Sequence, residues 1–352
     1  MKILIIKLNK IGDVLLTSPL FTNLKAHFGE NCQIDMLVNA GTEGLLETTL
    51  LQAVHLLKRP NGIFKKLQSN IALLFTLRAQ KYNIVLGLGS NERTAFTAFI
   101  TGAKVRVGIP PHSFWAKHIY THKIPYKAQH NIESNLDALR LLKIPILDKS
   151  VRAKVAKNST ILENLPPKFV HCHFFSDWLF KCLDDNFCVK IVDFITQTYQ
   201  IPCVLTAAPN DSHRLKTLQT LTQSQIFPIS NFLLEEIALL NTKAKAFVGV
   251  DTSIMHLSAA NGIPTFAFFG PSFTQVWGPW DNALQNSTYK NQKGGIQNMG
   301  KHYIYQEPLA CMPCGKAGCE NSQKSDCLSN KLNQKSALKA LKNFLDPLLA
   351  KQ

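Results

Sequence analysis

The segment Gly249-Val250-Asp251-Thr252-Ser253-Ile254-Met255-His256 concentrates the residue types that do chemistry. An apolar run ends there in an acid and two hydroxyls, and a helical pattern follows. Free backbone N–H groups at such a helix start, with the helix dipole behind them, suit a phosphate or diphosphate. Asp251 would repel phosphate directly and is better matched to sugar hydroxyls, which donate hydrogen bonds to it. His256 lies four residues after Thr252, hence on the same helix face. The plainer alternative is that Asp251 or Thr252 caps a helix and His256 is a partly buried polar residue.

Two further segments have the same character. Ile11-Gly12-Asp13 follows the first apolar run. Glycine there allows a tight turn, and a carboxylate in a cleft can take a proton from an attacking hydroxyl; otherwise Asp13 caps the next helix. Ser176-Asp177-Trp178-Leu179-Phe180-Lys181 follows another strand candidate. A lysine at a helix start opposes the dipole, which a nearby anion bound by both would explain; otherwise Lys181 is a solvated surface residue. Cys311, Cys314, Cys319 and Cys327 have the density of a zinc site but irregular spacing, so structural zinc competes with free thiols or a redox-labile pair. No other metal cluster, and no phosphate-loop or serine-nucleophile motif, is present in the sequence.

These residues need elements to hold them. Residues 3–8 read as a buried strand, and Leu16, Leu20 and Leu24 step by four as on a helix. Pro19 is either the first residue of that helix or a kink one turn inside it. Strands are expected at 34–38, 84–87, 169–173, 203–207, 246–250 and 264–269. Helices are expected at 67–80, 135–142, 179–199 (mostly), 233–242 and 253–260, with a last amphipathic one carrying Leu338, Leu341, Leu345 and Leu348. The polar stretch 147–167, ending in Pro-Pro, marks a linker. Two successive strand–helix series predict an α/β protein of two doubly wound domains, 1–150 and 168–330, joined by 151–167 and followed by a helical segment 331–352. In such sheets ligands sit beyond the carboxyl ends of the strands. The unusual polar residues lie there: Asp13, Ser176 to Lys181, Pro209 to Asp211, and Asp251 to His256.

Composition narrows the class. The chain has 352 residues, 45% hydrophobic and 18% charged, ordinary for a globular protein. No apolar run approaches the roughly 20 residues needed to cross a bilayer. The N-terminus does not read as a signal peptide, because Lys7, Asn9 and Lys10 break its apolar stretch. A cytoplasmic location with reduced cysteines is therefore expected. The net charge is +16, and residues 1–150 hold 19 Lys and Arg against 9 Asp and Glu. Such a field favours a polyanion: nucleic acid, an anionic membrane surface or a phosphorylated substrate. No nucleic-acid-binding motif accompanies it.

Residues 10–19 (KIGDVLLTSP), 249–271 (GVDTSIMHLSAANGIPTFAFFGP) and Trp277-Gly278-Pro279-Trp280 resemble the signatures of the lipopolysaccharide heptosyltransferases, glycosyltransferase family nine. The spacing from KIGDVLLTSPLFTNLK to QIDMLV and the segment WLFKC at 178–182 look closest to the heptosyltransferase III branch. The resemblance implies a GT-B fold, two Rossmann-like domains facing a central cleft. The first would bind the acceptor, a lipid A-core oligosaccharide at the inner leaflet of the cytoplasmic membrane, and the second ADP-L-glycero-β-D-manno-heptose. It implies inversion, no metal, no cofactor and a protein peripheral to that membrane. Asp13 takes the position of the general base and Lys181 that of the lysine on the donor phosphate. Ser176 falls near a phosphate-contacting hydroxyl, and Asp211 where relatives often carry a ribose-binding glutamate. Asp251, Thr252, Ser253 and His256 map onto the donor-site motif, with Ser253 where glycine is common. The cysteine cluster occurs in only some members. The acceptor hydroxyl stays open. So do a protein acceptor, another sugar and, from another class, a basic nucleic-acid-binding protein without catalysis.

Overall fold

The computed structural model of the protein describes residues 1–58, 61, 63–320 and 322–350, without the side chains of 63–67 and 117. The end of the expected 331–352 segment, 351 and 352, lies outside them. The chain divides into two compact units, Met1–Lys154 and Val155–Gln352.

The first unit runs β1 (Lys2–Lys7), α1 (Ile11–Leu15), α2 (Pro19–Phe28), β2 (Gln33–Asn39), β3 (Ala53–Leu57), α3 (Ile63–Ala79), β4 (Ile84–Gly87), α4 (Glu92–Ile100), β5 (Val105–Gly108), β6 (His122–Lys123) and α5 (Asn131–Leu141). Its six strands are all parallel, in the order β3-β2-β1-β4-β5-β6. Helices cover both faces of such a sheet, so β1 reads as a continuous apolar run, KILIIK, rather than an alternating one. Pro19 is the first residue of α2, where its missing N–H costs nothing. Leu16 ends the short α1 instead of starting that helix. Gly12 is helical inside α1, so it does not make the tight turn expected of it.

The second unit runs β7 (Val170–His173), a 3-10 turn (Leu179–Lys181), α6 (Asp185–Tyr199), β8 (Cys203–Thr206), α7 (Ser212–Leu221), β9 (Ile226–Ile229), α8 (Leu234–Asn241), β10 (Ala246–Val250), α9 (Ser253–Ala260), β11 (Thr265–Phe269), α10 (Thr274–Trp277), β12 (Gly295–Met299), β13 (His302–Gln306) and α11 (Gln334–Leu349). The sheet order is β12-β13-β11-β10-β7-β8-β9, parallel except at the β12–β13 edge. The last helix belongs to this unit's core: Leu341 and Leu345 are fully buried, and Tyr199 on α6 donates to Asp346 at 2.7 Å.

In a doubly wound sheet the crevice opens where the strand order reverses. In the first unit that point lies between β1 and β4, and in the second between β7 and β10. Just past β1, β7 and β10 stand Asp13, in the first turn of α1, Lys181 and Asp251.

Candidate active site

At the first switch point the key group is Lys7, the last residue of β1. Its side chain is 3% exposed. Its Nζ donates to Leu88 O at 3.1 Å, just past β4, and to Asn135 Oδ1 at 3.2 Å on α5. It also lies 3.9 Å from Asp13 Oδ1. Burial pushes the Lys7 ammonium down, and the charge of Asp13 holds it up. Asn135 in turn donates to Leu16 O at 3.1 Å, which ties α5 to the end of α1. Asp13 is the third residue of α1, in its first turn, and does not cap a helix: Lys10 and Ser18 hold the N-cap positions of α1 and α2. Its side chain is 18% exposed, enough to be reached.

The second switch point holds an ion pair. Lys181 Nζ lies 2.6 Å from Asp251 Oδ2, with Asp251 3% exposed. Lys181 is not at a helix start as expected. It closes a single 3-10 turn, and α6 begins only at Asp185. The reason is local: Lys181 N and Cys182 N bond back to Trp178 O and Leu179 O, and the backbone at Cys182 is extended. The anion beside Lys181 is thus Asp251 itself. Close approach of β10 to β7 brings them together, since a Cβ on Gly249 would lie 2.5 Å from His173 O.

Next to this pair, Thr252 is the N-cap of α9, its Oγ1 accepting from Met255 N at 3.4 Å. Ser253 opens the helix. His256 is 5% exposed on its second turn, with Trp277 edge-on at 6.5 Å between ring centroids. Ser176 stands in the loop after β7, its hydroxyl accepting from Trp178 N at 3.2 Å. Asp211 sits one strand further out, in a 3-10 turn after β8. Burial raises its pKa and the charge of Asp177 adds to this, against Arg214 and His213. Lys181, Asp251, Thr252 and Ser253 are brought together, whereas Asp211 belongs to a separate group with Asp177, His213 and Arg214.

Among the described residues no three His, Cys, Asp or Glu are arranged to hold a metal. Cys311 is exposed, Cys314 and Cys319 are half-buried, and Cys327 is buried. Burial, with the other three thiols nearby, pushes Cys327 up to about 12.

Lys7 and Asn135 are functional candidates that sequence reasoning missed. The available signal was a lysine closing an otherwise apolar buried strand. A second omission is the polar chain under β7. His171 Nδ1 pairs with Asn241 Oδ1 at 2.7 Å, His171 Nε2 with Thr206 Oγ1 at 2.7 Å, and His173 Nδ1 with the same hydroxyl at 2.9 Å. One consistent direction exists. His173 donates to Thr206, Thr206 to His171, and His171 to Asn241, which requires the His171 imidazole to be neutral. Burial agrees, pushing His171 down to about 3 and His173 to about 4.

Chemically, the first site offers a reachable carboxylate for a proton. The second offers a cation and a helix N-terminus for a diphosphate, with a buried carboxylate for hydroxyls. Comparison with known proteins bears on the second site, since the family match includes Lys181 and Asp251. The family model "Glycosyltransferase family 9 (heptosyltransferase)" matches residues 71–303. Lipopolysaccharide heptosyltransferase 3 of Escherichia coli K12 is 27% identical over 293 residues, 78% of this chain and 84% of that one. Two solved structures share the fold. One is the E. coli ADP-heptose LPS heptosyltransferase II, with TM-score 0.72 and 16% identity over 98% of both chains. The other is E. coli heptosyltransferase WaaC with ADP, with TM-score 0.70 and 18% identity over 98% of this chain and 100% of that one.

Proposed function

Since the chain belongs to glycosyltransferase family 9, a family of GT-B enzymes, we propose that it transfers L-glycero-D-manno-heptose from ADP-heptose to the lipopolysaccharide inner core, onto a heptose. The Lys181–Asp251 pair at the switch point of the second unit, beside the N-terminus of α9, carries this reading. Relatives named for heptosyl transfer, one of them solved with ADP, support the donor.

In the proposed reaction Asp13 takes the proton of an acceptor hydroxyl as its oxygen attacks the anomeric carbon. The C1–O bond to the diphosphate breaks on the opposite face, and ADP leaves with the bonding pair. Lys181 and the N–H groups of α9 stabilise that leaving charge, the electrostatic part of the catalysis. Asp251 orients Lys181 and accepts from sugar hydroxyls. Thr252 and Ser253 line the phosphates with Ser176, His256 shapes the pocket behind them, and Asp211 meets the ribose. Lys7 holds Asp13 in place. The location that follows is the cytoplasmic face of the inner membrane, where the lipid-linked acceptor is made available.

The direct test is in vitro. Purified protein, ADP-heptose and a heptose-terminated core acceptor should release ADP and lengthen the acceptor by one heptose, at a rate unchanged by EDTA. Transfer that requires added Mg2+ would remove the leaving-group role given to Lys181 and α9. No transfer to any core acceptor would overturn the proposal.

A further inference from the structure

One face of the first unit is apolar and exposed, and two arginines stand in it. On α3, Ile71, Leu74, Phe75 and Arg78 share a stripe at helical spacing. With Phe99, Ile100, Gly102 and Arg106 they line an open groove of about 620 Å³. Phe75 is 72% exposed, Phe99 55% and Phe96 44%. The 3-10 turn Ala116–His118 packs against α4, and the two residues before it, Phe114 and Trp115, are 78% and 49% exposed. Contiguous exposed apolar surface of this kind marks an interaction site more often than chance.

The charge around it selects the partner. Between Glu47 and Glu133 the sequence holds 12 Lys and Arg and one acid, Glu92. The first unit as a whole carries 21 Lys and Arg against 9 Asp and Glu, a surplus of 12, and the second 18 against 14, a surplus of 4. The basic excess therefore collects on the stretch that also exposes the aromatics. Arg78 and Arg106 stand at the groove itself, anchored through Nη1 to Ile100 O at 3.2 Å and through Nε to Ile119 O at 2.8 Å. Arg78 can lie where it does because residue 102 is glycine: a Cβ there would fall 1.9 Å from its Nη1.

We propose that this face, built from α3, α4 and the aromatic loop before β6, docks on an anionic phospholipid bilayer. Phe75, Phe99 and Ile71 enter the acyl boundary, and Arg78 and Arg106 meet the headgroup phosphates. Apolar insertion and electrostatic attraction are each weak alone and strong together, and the second falls with salt. The proposal deepens the reading of a lipid-linked acceptor, which gives the surface its use. Its test contains neither donor nor acceptor, so the two can fail separately.

The test is sedimentation of the full chain with vesicles of phosphatidylcholine, with and without phosphatidylglycerol. The chain should bind the anionic vesicles, bind the neutral ones at least ~10-fold more weakly, and lose binding as salt screens the charges. Phe75→Ser with Phe99→Ser, which leaves net charge unchanged, should lower anionic-vesicle binding by about tenfold or more while ADP affinity and melting temperature are kept. Leu221→Ser, at a 50% exposed position of the second unit, should leave binding unchanged. If the double variant does not fold, Phe75→Ser alone, at its 72% exposed site, should still lower binding about threefold. Three results overturn the proposal: no binding of wild type to anionic vesicles, undiminished binding by the serine variants, or a wild-type dimer that the variants convert to monomer.

Discussion

At the residue scale, two side chains carry the proposed chemistry and can be separated by experiment. Asp13→Asn keeps shape and removes the base, so transfer should fall at least about a hundredfold while ADP affinity hardly changes. Near-normal turnover would take Asp13 out of the mechanism. Lys181→Ala is less simple, because Asp251 is 3% exposed and would lose its cation. The variant should therefore melt earlier as well as bind ADP about tenfold or more weakly, the cost of a lost charged hydrogen bond. Adding Asp251→Asn removes the stranded charge. It should restore the melting temperature and leave ADP binding weak. If calorimetry finds ADP affinity restored together with stability, Lys181 serves the fold and not the phosphate.

At the scale of elements, the polar chain beneath β7 makes the second unit acid-sensitive. It joins β7, β8 and the end of α8, and Asn241 Nδ2 continues it to Asn261 at the end of α9 at 3.3 Å. His171 and His173 are neutral in the fold and titrate near 6.5 when unfolded. The unfolded chain thus binds protons that the folded one refuses as pH falls from about 6.5 towards 4 and 3. Stability is complete above that window and should drop by about 1.4 kcal/mol per pH unit for each histidine within it. Denaturant titrations from pH 7 to 4 measure this, and Thr206→Val should lower stability at neutral pH by breaking the chain in the middle. Strand ends were legible because buried parallel strands are continuous apolar runs followed by polar residues, as at Ala246–Val250 and Asp251. Short or mixed elements were not. β3 (AVHLL) and β5 (VRVG) each carry a polar residue in a brief run, and α4 has threonines on its buried side. Lys181 was read onto a helix because leucine and phenylalanine continue the apolar pattern, whereas the backbone extends at Cys182. The Lys7 strap depends on Leu88 and Asn135, 81 and 128 residues away, and no local pattern announces it.

At the scale of the whole molecule, the two units divide the work unevenly. The first carries most of the positive charge, a buried lysine behind a reachable carboxylate, and the apolar face offered to lipid. The second carries the cation and helix N-terminus suited to a diphosphate. No helix among the described residues is long and apolar enough to cross a membrane. In the proposed reaction the lipid-linked, phosphorylated acceptor falls to the first unit and the nucleotide-activated sugar to the second. The measurement that tests this account most directly is mass spectrometry of core oligosaccharide from a strain lacking this protein. The account predicts a core short of one heptose and whatever is built upon it, restored by the wild-type chain and not by Asp13→Asn. A core of unchanged mass and linkage in that strain would contradict it.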